Sequence, residues 1–306
     1  MQVLALYHMK GGVGKTAAAV NLAYLAAQSG ARTLLCDLDP QASATYYFRI
    51  QPKLKAKKKV FASGGKHLEK SIKATDFAHL DLLPGALSHR HLTEVFQQAK
   101  HPARCLHRSL AALRDEYQYV ILDCPSGVSL MAQNVFHAAD YVLIPVVPSP
   151  LSVHAYQQLR TFYTKHGYNP HKLRTFFSMV ERQKKLHQSV MQELTASHPE
   201  ALPQAIPYLV DVENMGIHRE PVLVSVPHSR ASRAYEQLWT AMEARLNQSH
   251  PGPLPALADP DGLADRQSQP DQNRSRAESL DQSPQSTSET LPHPAVATPA
   301  APKSAK

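Results

Sequence analysis

Seven residues near the start of the chain, Lys10-Gly11-Gly12-Val13-Gly14-Lys15-Thr16, have the types and spacing to hold a polyphosphate. Glycines let backbone N–H groups approach phosphate oxygens, and a helix beginning beyond them adds the positive end of its dipole. In the pattern G-x-x-x-x-G-K-[ST] the lysine reaches the β- and γ-phosphates and the hydroxyl holds Mg²⁺, which assigns those tasks to Lys15 and Thr16. The window opens on Lys10 where that pattern has its first glycine, so two lysines bracket the loop. Asp37, Asp39 and Asp123 stand at or just past the ends of apolar runs. Carboxylates just past a parallel strand's C-terminal end lie in the crevice where ligands bind. Mg²⁺ keeps most of its water and needs few of them.

These groups need a frame. Apolar runs at 3–7, 32–37, 80–83, 117–123, 139–146, 173–180 and 205–208 read as strands. Between them, the Ala/Leu-rich run 17–27 and the run from 151 to about 165 read as helices, with Gly30 as a C-cap. Leu92, Val95 and Phe96, and then Leu106, Leu110 and Leu113, have helical spacing and read as core stripes. The alternation predicts an α/β fold, a mostly parallel twisted sheet with helices on both faces. Tyr235, Leu238, Trp239, Met242 and Leu246 form the stripe of a closing helix. Glu236 and Glu243 on its polar face would be repelled by anionic lipid.

The chain has 306 residues and a formal charge of +8. From Ser249 onward acids outnumber bases by two, so the preceding residues carry +10. A basic folded region suggests a polyanionic partner, nucleic acid or an anionic membrane, against the plainer reading of a solubilising surface. Lys53, Lys55, Lys57, Lys58, Lys59, Lys66, Lys70 and Lys73 crowd one segment, which reads equally as a solvated face or a phosphate-contacting patch. Cys36, Cys105 and Cys124 read as small buried hydrophobes. The start of the chain goes straight into a strand, which argues against a signal peptide, and no apolar run is long enough to span a bilayer. Residues 1–248 are expected to form one domain, and the Pro-, Ser- and Gln-rich residues 249–306 a disordered tail.

The variant loop K-G-G-V-G-K-T resembles that of the ParA/MinD family of P-loop ATPases. The resemblance extends through Asp37-Leu38-Asp39-Pro40-Gln41-Ala42-Ser43 (switch I) and the run ending Asp123-Cys124-Pro125-Ser126-Gly127 (Walker B and switch II). It implies an Mg²⁺-ATP hydrolase, slow alone and sped up by a partner. It further implies that residues 10–17, Lys10, Gly11, Gly12, Val13, Gly14, Lys15, Thr16 and Ala17, bind ATP, with Pro207 near the base. Lys10 would cross a dimer interface to the neighbour's nucleotide. Lys10, Lys15 and Asp39 would be catalytic, Asp39 orienting the attacking water. Thr16, Asp39 and Asp123 would hold the metal, with Asp37 supporting its shell. The family's Gly-Asn is Ala42-Ser43 here, and its second proline is Ser126.

DNA-riding relatives use late arginines, which points to Arg182, Lys184, Lys185, Arg219, Arg230 and Arg233 as contacts to non-specific DNA. The expected partners are a second copy, DNA and an activating adaptor or cargo protein, with the protein cytoplasmic and nucleoid-associated and no membrane partner. The rival class is a MinD-like ATPase acting at a membrane or secretion apparatus, in division-site or cellulose-export regulation. A third class, relatives of the nitrogenase iron protein, is disfavoured because no cysteine stands in a glycine-rich ligand motif.

Overall fold

A computed structural model describes residues 1–51, 61 and 66–248. Its strands are β1 Gln2–Leu6, β2 Thr33–Asp37, β3 Lys73–Ala74, β4 Leu80–Leu83, β5 Tyr119–Asp123, β6 Tyr141–Val146, β7 Leu173–Val180 and β8 Ala201–Pro207. They form a sheet in the order β3-β4-β2-β5-β1-β6-β7-β8. Every pairing is parallel except β3 with β4, at the edge. The α-helices are α1 Lys15–Gln28, α2 Ser43–Tyr47, α3 Lys66–Glu69, α4 Leu92–Gln97, α5 Cys105–Ala111, α6 Leu130–Ala138, α7 Pro150–Lys165, α8 Lys185–Ser197, α9 Val210–His218, α10 Val222–Ser225 and α11 Arg230–Gln248.

Strand residues point alternately to the two faces, and the sequence fills both. Val3, Ala5, Leu34, Cys36, Val120 and Leu122 pack on one side with Phe96, Leu106, Phe136, Tyr156 and Leu194 from α4, α5, α6, α7 and α8. Leu4, Leu6, Leu35 and Ile121 pack on the other, with α1, α10 and α11. Strands buried on both faces are near-continuous apolar runs for this reason. The expected closing helix is α11, whose Tyr235, Leu238, Trp239, Met242 and Leu246 are all buried. Its apolar stripe is therefore committed to the core. On this second side α1 and α10 also meet through polar atoms: Asn21 of α1 accepts from the Val222 N–H at 2.9 Å and donates to the Ala17 carbonyl at 2.7 Å.

Several boundaries differ from expectation. Helix α1 begins at Lys15, two residues early, because the loop glycines deliver the chain straight into helical geometry. Strand β8 begins at Ala201, and its prolines, Pro203 and Pro207, suit the sheet edge on which it lies. The pair β3 was too short to show a period. Lys53, Lys55, Lys57, Lys58, Lys59 and the tail 249–306 lie outside the described residues. No helix among the described residues is long and apolar enough to cross a membrane.

Leu238→Ala removes a fully buried side chain between α11 and the sheet and is expected to cost about 2–5 kcal/mol in urea unfolding. Glu236→Ala, two residues away on the exposed face, should stay within about 0.5 kcal/mol.

Candidate functional site

Three strands end level with one another. In register, Leu6 of β1 stands beside Asp123 of β5, which stands beside Asp37 of β2. The chain leaves β1 into residues 7–14, and this loop turns into α1 at the same edge. Gly12 and Gly14 adopt φ of 72° and 90°, a region that costs other residues strain. A Cβ at Gly14 would also meet the Ser178 hydroxyl of β7 at 2.7 Å. Both constraints require glycine there.

The two lysines of the loop have opposite environments. Lys15 is buried at 8% exposure, with its Nζ 3.4 Å from the Lys10 carbonyl, whereas the Lys10 side chain is exposed. His8, fully buried, accepts the Lys10 N–H on Nδ1 at 2.9 Å. Burial first, then the charge of Lys15, lowers its pKa to about 4, so it is neutral at pH 7. The second loop, after β5, is tied to the first. Gly127 donates to the Met9 carbonyl at 3.1 Å, and the Tyr7 hydroxyl donates to the Gly127 carbonyl at 2.9 Å.

Asp123 is fully buried and neither carboxylate oxygen has a hydrogen bond of good geometry, the Thr16 hydroxyl being the side-chain donor beside it. Burial, then the charge of Asp37, pushes its pKa well up; Thr16 and Lys15, close by, act the other way. An unpartnered buried carboxylate beside a hydroxyl and an ammonium is costly unless a cation joins it. The donor set fits a hard cation such as Mg²⁺ that retains water ligands. Among the described residues no three His, Cys, Asp or Glu side chains converge on one point. The glycine loop beside it carries the backbone N–H groups that a polyphosphate requires.

Asp37 is placed differently from the expected metal-shell role. Its Oδ2 accepts from the Thr45 N–H at 2.8 Å and the Thr45 hydroxyl at 2.7 Å, and its Oδ1 from the Asp39 N–H at 3.3 Å. Burial raises its pKa to about 6. Asp39 is half-buried and accepts the Gln41 N–H at 2.9 Å. Thr45 and His8 were missed in the sequence, although a Thr eight residues after a strand-ending Asp was visible there.

The basic residues separate into groups. Arg182, Arg230 and Arg233 are exposed and line one cavity of about 210 Å³ with Pro207 and Ala205. Lys184 pairs with Glu181, and exposed Lys185 opens α8. Arg219 lies elsewhere. Its guanidinium sits 4.4 Å from the Tyr46 ring centroid and its Nε donates to the Tyr46 carbonyl at 3.0 Å, on α2. Cys36, Cys105 and Cys124 are buried and free.

A family profile described as an AAA domain, AAA_31, matches residues 1–171, more than half of the chain. The chain belongs to this family. Similar proteins place it within the ParA/MinD group. It is 27% identical over 248 residues to the virulence plasmid ParA family protein pGP5-D of Chlamydia psittaci, covering 80% of this chain and 96% of that one. It is 29% identical over 245 residues to the sporulation initiation inhibitor protein Soj of Bacillus subtilis, covering 78% and 96%. Cobyrinic acid a,c-diamide synthase of Mycobacterium smegmatis, solved with an ATP analog and magnesium, shares the fold at a TM-score of 0.67 and 24% identity, covering 81% and 96%.

The neutral buried His8 gives this ParA/MinD-family protein a pH signature. The unfolded chain takes up this proton near 6.5 and the folded one only near 4. Stability contributed by His8 is therefore complete above pH 6.5 and is lost as pH falls towards 4, by roughly 3 kcal/mol in all. His8→Asn keeps an acceptor for the Lys10 N–H without the titration. Urea midpoints should show the wild type losing stability relative to this variant from pH 6.5 to 4.5; a constant difference would contradict the assignment.

Proposed function

We propose that the protein is an Mg²⁺-ATP hydrolase of the ParA type that dimerises around ATP, binds DNA without sequence preference in that state, and positions or segregates a cargo. The observation carrying this reading is the buried, unpartnered Asp123 carboxylate level with the Lys10–Thr16 loop. In this reading the loop amides and Lys15 bind the phosphates, Thr16 and Asp123 hold Mg²⁺, and Asp39 orients the attacking water. When bound, Mg²⁺ neutralises charge on the β- and γ-phosphate oxygens. Pro207 lies near the base, and Ala17 closes the phosphate-binding run.

The dimer follows from Lys10. Its side chain is exposed, so it serves a group outside its own chain better than one inside. Two exposed apolar side chains belong to segments that meet its neighbours: Val128 at 43% exposure follows Gly127, which is bonded to Met9, and Leu151 at 71% adjoins Ser152, which lies against His8. Exposed apolar groups rimming a charged loop suit an interface.

For DNA, the gathered Arg182, Arg230 and Arg233 supply exposed guanidinium groups, with no acidic partner among the described residues, for backbone phosphates, which carry affinity without reading bases. Lys185 is within the same basic region of the sequence. Arg219 and Lys184 are given weaker parts, since each already has a partner.

Three measurements test the proposal. Lys15→Ala should abolish ATP binding in calorimetry; tight binding by that variant would remove the site. Asp39→Ala should be a dimer with ATP in light scattering, and adding Lys10→Ala should return it to a monomer. Replacing Arg182, Arg230 and Arg233 together by alanine should reduce the slope of log affinity against log salt for random duplex DNA by about 3. An unchanged slope, or ATP-dependent binding to anionic liposomes in place of duplex, would favour the MinD-like alternative at a membrane or secretion apparatus.

A further inference from the structure

Helix α2 follows the Asp39 loop directly, and its only fully buried polar side chain among residues 43–47 is Thr45. This residue makes three hydrogen bonds to segments remote from one another in sequence. Its N–H and hydroxyl both donate to Asp37 Oδ2, at 2.8 and 2.7 Å. Its hydroxyl oxygen accepts the Gly85 N–H at 2.7 Å, from the turn after β4. The Asp37 carboxylate is pressed against that turn as well. A Cβ on Gly85 would lie 2.7–2.8 Å from all three carboxyl atoms. The other Asp37 oxygen receives the Asp39 N–H. A hydroxyl that donates and accepts at once, with a doubly used carboxylate, has one geometry available to it.

We infer that Thr45 is a positioning residue for the reaction: it orients Asp37, which in turn fixes the backbone on which Asp39 presents its carboxylate. This rests on the proposal that Asp39 orients the attacking water. Among the described residues the hydrogen bonds of the Thr45 hydroxyl and N–H go to Asp37 and Gly85. Loss of Thr45 should slow turnover and leave ATP binding intact. Asp37 thereby belongs to the scaffold of the water-orienting loop, and its carboxylate oxygens are occupied within the protein.

The test uses the full chain with Thr45→Val, Thr45→Ser and Gly85→Ala. The valine variant keeps shape and removes the hydroxyl, and should lower kcat about tenfold or more with KM for ATP within about twofold. Serine should restore most of the rate. Gly85→Ala leaves the hydroxyl in place but displaces the carboxylate, and should reproduce the valine result. Amide exchange, which needs no activity, should quicken about tenfold across residues 39–46 in Thr45→Val and remain unchanged across α1. A wild-type kcat in the valine variant, a parallel fall of rate and ATP affinity that serine does not restore, or unchanged exchange at 39–46 would each overturn the inference. Absence of any ATP turnover by the wild type would instead count against Asp39's role, with the exchange result still deciding the clamp.

Discussion

Two carboxylates buried side by side at the end of a parallel sheet are the constraint on which this molecule turns. Asp37 and Asp123 are register partners, both fully buried; burial raises the affinity of each for a proton, and the charge of Asp37 raises that of Asp123 further. In a medium of low polarity such a pair needs compensation. Asp37 receives it from within, through Thr45 and the Asp39 amide. Asp123 receives little, with no hydrogen bond of good geometry and only Thr16 and Lys15 close by. In the proposed reading this asymmetry divides their work: one holds protein in place, and the other is left for a ligand.

The same edge explains the loops around it. Glycines at positive φ turn the chain from β1 into α1, and this sets Lys15 close enough to Asp123 for its charge to act on that carboxyl. A polyphosphate with its cation would satisfy the amides, the lysine and the carboxylate together. Outside this centre, Lys10 and the apolar Val128 and Leu151 are exposed among the described residues, which is the physical basis for proposing that they meet a second copy. The arginines divide on the same principle. Arg219 spends its guanidinium on Tyr46, while Arg182, Arg230 and Arg233 face a common cavity.

Much of the frame was legible in the residues because it depends on local pattern. The strand, loop and helix spanning 2–28, the aspartates ending β2 and β5, and the stripe of α11 all follow from period and from glycine placement. What escaped depends on partners far away in sequence. Nothing around Thr45 announces Gly85, forty residues on, although a glycine after Pro84, just past the end of β4, was a hint of close approach. His8 looked like one more residue between strand and loop; its role appears only when burial and the Lys10 amide are seen together. The shared cavity of Arg182 and Arg230 required β8 and α11 to fold alongside β7. Arg219 was grouped with them by proximity in sequence, and the fold carries it to α2 instead.

The account's central claim is a nucleotide site shared by two copies. A crystal structure of the Asp39→Ala protein loaded with ATP and Mg²⁺ tests it most directly. The account predicts Lys10 Nζ in hydrogen-bond contact with a phosphate held by the partner subunit, and Asp123 facing the metal through water. Lys10 pointing into bulk solvent, remote from phosphate on either chain, would contradict it.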